Sequence, residues 1–417
     1  MADLFRKLEL DLRLVGMLAA MAAIWIGFDI FTGGGFLTPR NLWNLSVQSS
    51  SIAVMATGMV LVIVTRNIDL SVGSILGFTG MIIGVTQAVL LPNLWGFDNP
   101  LTWVVAILVA LAVGSVIGAV QGAVVAYLGV SSFIVTLGGL LIWRGAAWWV
   151  TTGQTVAPLD KRFLPIGGGI EGSIGATASW AIGIVAVVLA LIGTVTSRRK
   201  RQRFGFTVRP IWAEAIVFAL VMIAILGAVI VVNAYPFPAG VVRQMQAAKG
   251  ASPDAPLPDI AHGFAVPVLI ALAVGLVMSF VTDRLRFGRY VFAIGGNPEA
   301  AELSGINTRQ VLTLVFALMG GLAGLSACIS TARLQSATNA TGTLDELYTI
   351  ASAVIGGTSL AGGTGTIYGA MLGAVIMQSL QSGMVLLGLD APLQNIVVGL
   401  VLVIAVWLDT LYRRHVR

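Results

Sequence analysis

The sequence predicts an all-α protein, a polytopic transmembrane bundle of about twelve spans (ten to twelve), and three observations carry that prediction. Of the 417 residues, 57% are hydrophobic and only 10% are charged. An ordinary soluble domain carries roughly 25% charge, so too few charges remain here to coat a water-facing surface. Apolar runs of about 20 residues, the length that crosses a bilayer, recur along the chain. The basic residues gather on alternate connections and so encode an orientation. The strand-like alternation of an outer-membrane barrel is absent from the pattern.

In chain order the apolar runs are 14–31, 45–65, 70–91, 101–127, 130–150, 180–195, 211–232, 264–281, 311–331, 347–360, 367–388 and 396–411. The first contains Trp25 and Asp29 and lacks the short core and small-residue cleavage site of a signal peptide, so it reads as a retained span. The tenth is short and Gly-rich, which leaves a full crossing and a re-entrant helix both open. Arg6, Lys7, Arg13, Arg66, the run from Arg198 to Arg209, the group Arg284, Arg286, Arg289 and Arg309, and Arg413, Arg414 and Arg417 fall on one side. Fewer fall on the other: Arg40, Lys161, Arg162, Arg243, Lys249 and Arg333. The bias places both termini in the cytoplasm. The net charge of +6 is then a topology signal facing the lipid bilayer's anionic headgroups, not a nucleic-acid site. The outer loops 151–176 and 233–262 are rich in Gly, Pro and Ala and show no aromatic-rich folded pattern. The chain reads as a single membrane domain over 1–417.

Several chemistries lack their residues. A lone Cys328 forms no internal disulfide, and with only His262 and His415 beside it there is no zinc-type ligand set. None of the four lysines sits in a GxxxxGK[ST] frame, and no HExxH or Ser/His/Asp set can be assembled. No catalytic residue, metal or cofactor is expected. Ionisable residues within spans normally mark ion-coupled transport, yet the helical middles are almost free of carboxylates. Arg144 is in a span, Asp69 at a helix start, and Glu214 and Asp409 near membrane edges. What remains is a passive pore, or a transport path whose energy comes from another subunit.

The connection at about 283–310 is the most structured loop. Asn297 can cap a helix, Pro298 suits its first position, and Glu299 complements its N-terminal dipole. Ala300, Ala301, Glu302, Leu303 and Ser304 continue it for about two turns, and Gly305 supplies a left-handed stop. Such a helix exposes Ala300, Ala301 and Ser304 to a groove on another protein; a plain connector is the alternative. GRYVFAIGGNPEAAELSGIN (Gly288–Asn307), NIDLSVGSILG (Asn67–Gly77), SSFIVTLGGLLIWRG (Ser131–Gly145) and IGGTSLAGGTGTIYGAMLG (Ile355–Gly373) resemble, in order, the inner-membrane permeases of bacterial ABC importers for ribose, xylose, arabinose and related monosaccharides. The resemblance runs from about Asn41 to Arg414. An additional apolar pair at about 177–232, joined by RRKRQRFGFTVR, is most similar to the xylose branch. The resemblance implies an ATP-driven sugar permease subunit in the inner membrane, acting with an ABC ATPase subunit, a periplasmic sugar-binding protein and a second copy of itself. It also implies that Asn297–Gly305 is the ATPase-coupling helix. The competing reading is an autonomous secondary carrier or facilitator for a small polar solute.

A neutral solute needs hydrogen-bonding side chains and an aromatic platform, held weakly enough to release it. The candidates along the pathway are Gln48, Ser49, Asp69, Gln121, Trp143, Arg144, Thr358, Gln378 and Gln381, with Ser50 and Ser382 beside them. Asp69 fits as the N-cap of the third span with Arg66 as a charge partner. Gln121 and Gln378 sit mid-span, where an amide either lines a path or bonds a neighbouring helix. Gly73–Gly77 aligns on Gly365–Gly369 as a five-position internal repeat. The series Gly114, Gly118, Gly122 and Gly365, Gly369, Gly373 put small residues on one helix face, which suits packing within the chain.

Overall fold

In a bilayer each peptide N–H and C=O needs a partner inside the protein, so apolar runs close on themselves as helices. The computed structural model describes residues 11–248, 250 and 256–416. Among these the chain is helical, and its β-type pairing is confined to three isolated bridges. Arg6, Lys7, Lys249 and Arg417, and the side chains of Asp409, Arg413, Arg414 and His415, lie outside the described residues.

The elements are α1 (Leu12–Phe31), α2 (Pro39–Val64), α3 (Val72–Trp95), α4 (Thr102–Leu128), α5 (Ser132–Thr151), α6 (Gly175–Arg203), α7 (Ile211–Asn233), α8 (Ala239–Ala248), α9 (Val266–Arg284), α10 (Arg286–Gly296), α11 (Pro298–Leu303), α12 (Thr308–Leu334), α13 (Asp345–Ile355), α14 (Ile367–Leu386) and α15 (Ala391–Val416). Ten of them are long and apolar enough to cross a membrane among the described residues. The run predicted at 347–360 gives only the 11 residues of α13, about 16 Å of helix against a hydrocarbon core of about 30 Å. It stops where Gly356 and Gly357 follow, the latter at φ +88°, a conformation that β-carbon-bearing residues avoid. The last run forms α15, whose apolar stretch is Ala391–Ile404. α2 starts at Pro39, six residues ahead of the expected run, because proline is preorganised for the first helical position. α3 contains a π turn at Thr86–Leu90 just before Pro92. Proline lacks the N–H that an α-helical turn would use there, and the helix widens to accommodate it.

The residues group into two compact units. The larger comprises Met21–Phe36, Leu45–Gly172 and the chain from Val266 onward. Its core is α2, where 94% of the span window is buried, packed with α3, α4, α12, α13 and α14. α4 and α12 meet backbone to backbone: a β-carbon on Gly114 or Gly118 would strike the carbonyls of Gly320 and Phe316, and one on Gly324 would strike that of Ala110. Gly369 and Gly373 likewise rest on the carbonyls of Gly356 and Ser352. Both glycine series therefore serve packing within the chain, where dispersion between close backbones replaces the hydrophobic effect that lipid removes. The proposed repeat fails in register: Gly73 lies in the first turn of α3, whereas Gly365 precedes the cap of α14.

The smaller unit is built on Leu37–Asn44 and Ser173–Ala265, with the start of α1. α6 and α7 pair as an antiparallel hairpin. α6 runs on through the basic segment, ending with Lys200, Arg201 and Arg203 in its last turn, where cations complement the helix C-terminus. Arg198 donates to Glu214 at 2.7 Å and to the Arg209 carbonyl at 3.0 Å, tying the turn. The loop after α7 does hold an aromatic cluster, contrary to its composition: Tyr235 stacks on His262 at 4.2 Å, with Phe237 and Trp43 against the same ring. Trp43 Nε1 donates to Gly263 O at 2.9 Å. Burial pushes the His262 imidazole below its ordinary range. The cluster escaped the sequence because Trp43 stands far along the chain from Tyr235, Phe237 and His262.

Candidate functional site

Two parts of the larger unit carry the candidate residues. The first is the connection between α9 and α12. Asn297 adopts an extended conformation and its Oδ1 accepts the Ala300 N–H at 3.1 Å. Pro298 opens α11 and Glu299 lies in its first turn, while Gly305 follows at φ +84°. Ser304 Oγ donates to the Ala300 carbonyl. Glu299, Ala300, Ser304 and Leu303 are exposed, Leu303 to 90%. Ala301 is not: it is 4% exposed and belongs to the core. Over six residues at 100° each, the helix must turn one side inward, and Ala301 is the residue small enough to sit there. α11 thus presents a short face whose one large apolar side chain has no partner within the described residues.

The second part is the polar interior. Gln378 Nε2 donates to Gln48 Oε1 at 3.1 Å and to Gln381 Oε1 at 2.9 Å, joining α2 and α14. Ser49 and Ser50 return their hydroxyls to the carbonyls of Leu45 and Ser46 one turn back; Ser382 is buried on α14. A second chain runs through Ser71, whose Oγ lies 2.6 Å from Asp69 Oδ1 and 2.9 Å from Gln121 Oε1. The single hydroxyl proton is offered to two acceptors, Asp69 Oδ1 and Gln121 Oε1. Trp143 packs against Phe78 with ring centroids 5.2 Å apart. Arg144 Nη1 donates to the carbonyls of Asn339 and Thr341 at 3.0 and 2.8 Å. Thr358 is fully buried.

Asp69 is not the N-cap of α3. Ser71 occupies that position, its hydroxyl capping no N–H of the helix, and Asp69 Oδ1 accepts the Ser71 N–H at 2.8 Å. The cap rule fails because an irregular stretch, 67–70, runs between α2 and the first turn of α3. Nor does Arg66 pair with it: Arg66 turns to the carbonyls of Gly295 and Gly296. Burial outweighs the Ser71 bonds and pushes the Asp69 carboxyl up to about 6.

Sequence reasoning missed Asp345 and Glu346. They sit at the start of α13, directly ahead of the apolar run predicted there. Glu346 is 7% exposed and its Oε2 lies against Gly73, where a β-carbon would collide with it. The signal was present in the adjacent Asp-Glu pair, but a loop acid and a buried acid look alike until the chain is folded. Buried polar atoms without a partner among the described residues include Asp69 Oδ2, Ser74 Oγ, Thr349 Oγ1, Glu346 Oε2, Thr358 Oγ1 and Ser359 Oγ. Each such buried atom costs about 1–3 kcal/mol. Two open depressions elsewhere, lined by residues such as Lys200, Arg201 and Phe206 at the end of α6, contain no residue of this interior.

Residues 41–211 and 172–406 match the family model described as branched-chain amino acid transport system / permease component. The chain is 35% identical to the xylose transport system permease protein of Haemophilus influenzae over 98% of each chain. It is 36% identical to the xylose transport system permease protein of Escherichia coli K12 over 98% of this chain and 94% of that one. The ribose import permease protein of the same strain is 32% identical over 90% of this chain and 87% of its own length. No solved structure matches. The chain belongs to this permease family: it is a multi-pass inner-membrane transport component and not an enzyme.

Proposed function

We propose that this permease is the membrane-spanning subunit of an ATP-driven sugar importer and that its cargo is D-xylose. The observation that carries the reading is end-to-end similarity to two xylose permeases, stronger and more complete than the similarity to a ribose permease. Two copies form the pathway, an ABC ATPase docks on α11 from the cytoplasm, and a periplasmic binding protein delivers the sugar. Both termini lie inside, as the Lys/Arg distribution directs. α11 supports this reading through its exposed Leu303, an apolar side chain that contributes nothing to the chain's own core.

The interior suits a conduit better than a tight site. Gln48, Gln378 and Gln381 offer amides already bonded to one another, which can exchange those bonds with a passing polyol at little net cost.

Uptake of labelled D-xylose, D-ribose and D-allose into liposomes containing the permease, its ATPase and binding protein tests the proposal. Xylose uptake that needs all three proteins and ATP is expected; uptake undiminished without the ATPase would overturn it. Leu303→Asp is expected to reduce ATPase co-purification at least tenfold with an unchanged melting temperature, and normal co-purification would remove the docking assignment. Ala301→Asp is unsuitable for that purpose, because it introduces a charge into the core.

A second reading draws on buried Glu346 and Asp69. Ionisable groups in such positions are the usual apparatus of proton-coupled carriers. Under that reading a pH gradient alone drives uptake by the isolated chain.

A further inference from the structure

Arg66 is more than one cytoplasmic cation among many. Its geometry is more specific. It closes α2 in the left-handed conformation, φ +64°, which a non-glycine residue adopts only when its surroundings hold it there. From that position its Nε donates to Gly295 O at 2.9 Å and its Nη2 to Gly296 O at 2.7 Å. These are the last two carbonyls of α10, unpaired within their own helix and bearing the negative end of its dipole. Asn297, the cap of α11, is the next residue.

The same point engages a third segment. Gly363 N donates to Val64 O at 3.0 Å. Gly362, at φ +86°, leaves room for the Arg66 stem, and a β-carbon there would overlap Arg66 Cγ. Gly295 is likewise glycine under compulsion, since Val64 O and Gly363 N fill the space a side chain would need. Three stretches therefore converge: the end of α2, the residue pair leading into α11, and the turn between α13 and α14. The first continues into Asp69 and Ser71. The last contains Thr358 and Ser359 and leads to Gln378.

We propose that Arg66 is the positioning residue that locks the α11 connection to both polar turns, so that displacement of α11 is transmitted to the interior and not absorbed in the loop. The proposal rests on the reading of this chain as an ATP-driven permease. Orientation by charge would be served equally by lysine, but the lock would not: an ammonium is a point charge on a flexible stem, whereas the planar guanidinium spans two successive carbonyls.

The test compares wild type, Arg66→Lys and Arg66→Ala as full complexes with the ATPase and binding protein in liposomes, measuring ATP hydrolysed per D-xylose imported. Arg66→Lys is expected to insert, bind ATPase and hydrolyse ATP at wild-type levels while the ratio rises about fivefold. In Arg66→Ala it rises tenfold or more. A wild-type ratio in either variant overturns the proposal. So does loss of ATPase binding in Arg66→Lys, which would make Arg66 an assembly residue. Absence of ATP-dependent uptake by the wild-type complex fails differently: it overturns the permease reading, and this inference with it.

Discussion

α2 and the α6–α7 hairpin invert the rule learned from soluble proteins. The span windows of α6 and α7 have mean hydropathies of 2.3 and 3.2, yet only 11% of each is buried; that of α2 has 1.9 and is 94% buried. In water the most apolar helix goes inside. In lipid the tails are as apolar as leucine, so apolarity earns no place in the core, and close packing and hydrogen bonds decide instead. α2 qualifies through small and polar residues: Thr57 is fully buried, Ser51 bonds Ser330 on α12 at 3.0 Å, and Gly58 sits against Met319 and Leu322. The hairpin offers leucines and isoleucines that suit lipid and need no protein neighbour.

The largest expected effect comes from filling a glycine on the packed side. Gly118→Val drives a side chain into the Phe316 carbonyl, where neither backbone can retreat, and should destabilise the detergent-solubilised protein by about 3 kcal/mol or more. Gly193→Val in α6 meets open space and should shift stability by no more than about 0.5 kcal/mol. Equal thermal melts for the two variants would break the comparison.

Next comes Asp69 at the foot of α3. Its folded-state value of about 6 lies above the ordinary carboxylate value, so the folded chain holds this proton more tightly than the unfolded chain. The group therefore favours folding most below about pH 4, and that contribution is lost as pH rises through about 6. Asp69→Asn keeps the acceptor for Ser71 and removes the charge. It should stabilise the protein at pH 7 by about 2–3 kcal/mol at most, and the melting temperature should lose its slope between pH 4 and 6. A wild-type slope in the variant would show that Asp69 is not the group responsible.

The smallest effect belongs to the hairpin's own ion pair. Arg198 and Glu214 remain 24% and 18% exposed, so Arg198→Ala should cost about 1 kcal/mol or less, measured as a shift in the denaturation midpoint. A larger loss would mean that the hairpin depends on polar bonds as much as the packed core does.

Parts of the site were legible because their signals are local. Asn297-Pro298-Glu299 followed by Gly305 specifies a short capped helix through neighbours a few residues apart. That Arg144 bonds the carbonyls of Asn339 and Thr341 was not legible, because those partners lie 195 and 197 residues away. The burial of Ala301 and Glu346 was not legible, since alanine suits either face of a helix and an acid ahead of an apolar run reads as solvated. Asp69 is no cap because the capping rule needs the true first residue of α3, and an irregular stretch, 67–70, precedes the helix.

By itself the sequence determined membrane residence and helical structure, because in a medium without water each backbone group must find its partner nearby, and a run of apolar residues announces that requirement. Only the tertiary structure decided which polar groups meet. Gln48 and Gln378 are 330 residues apart, and Arg66 and Gly296 are 230 apart. A hydrogen bond needs atoms within about 3 Å, and that proximity is a property of how the helices pack, which no local spacing encodes.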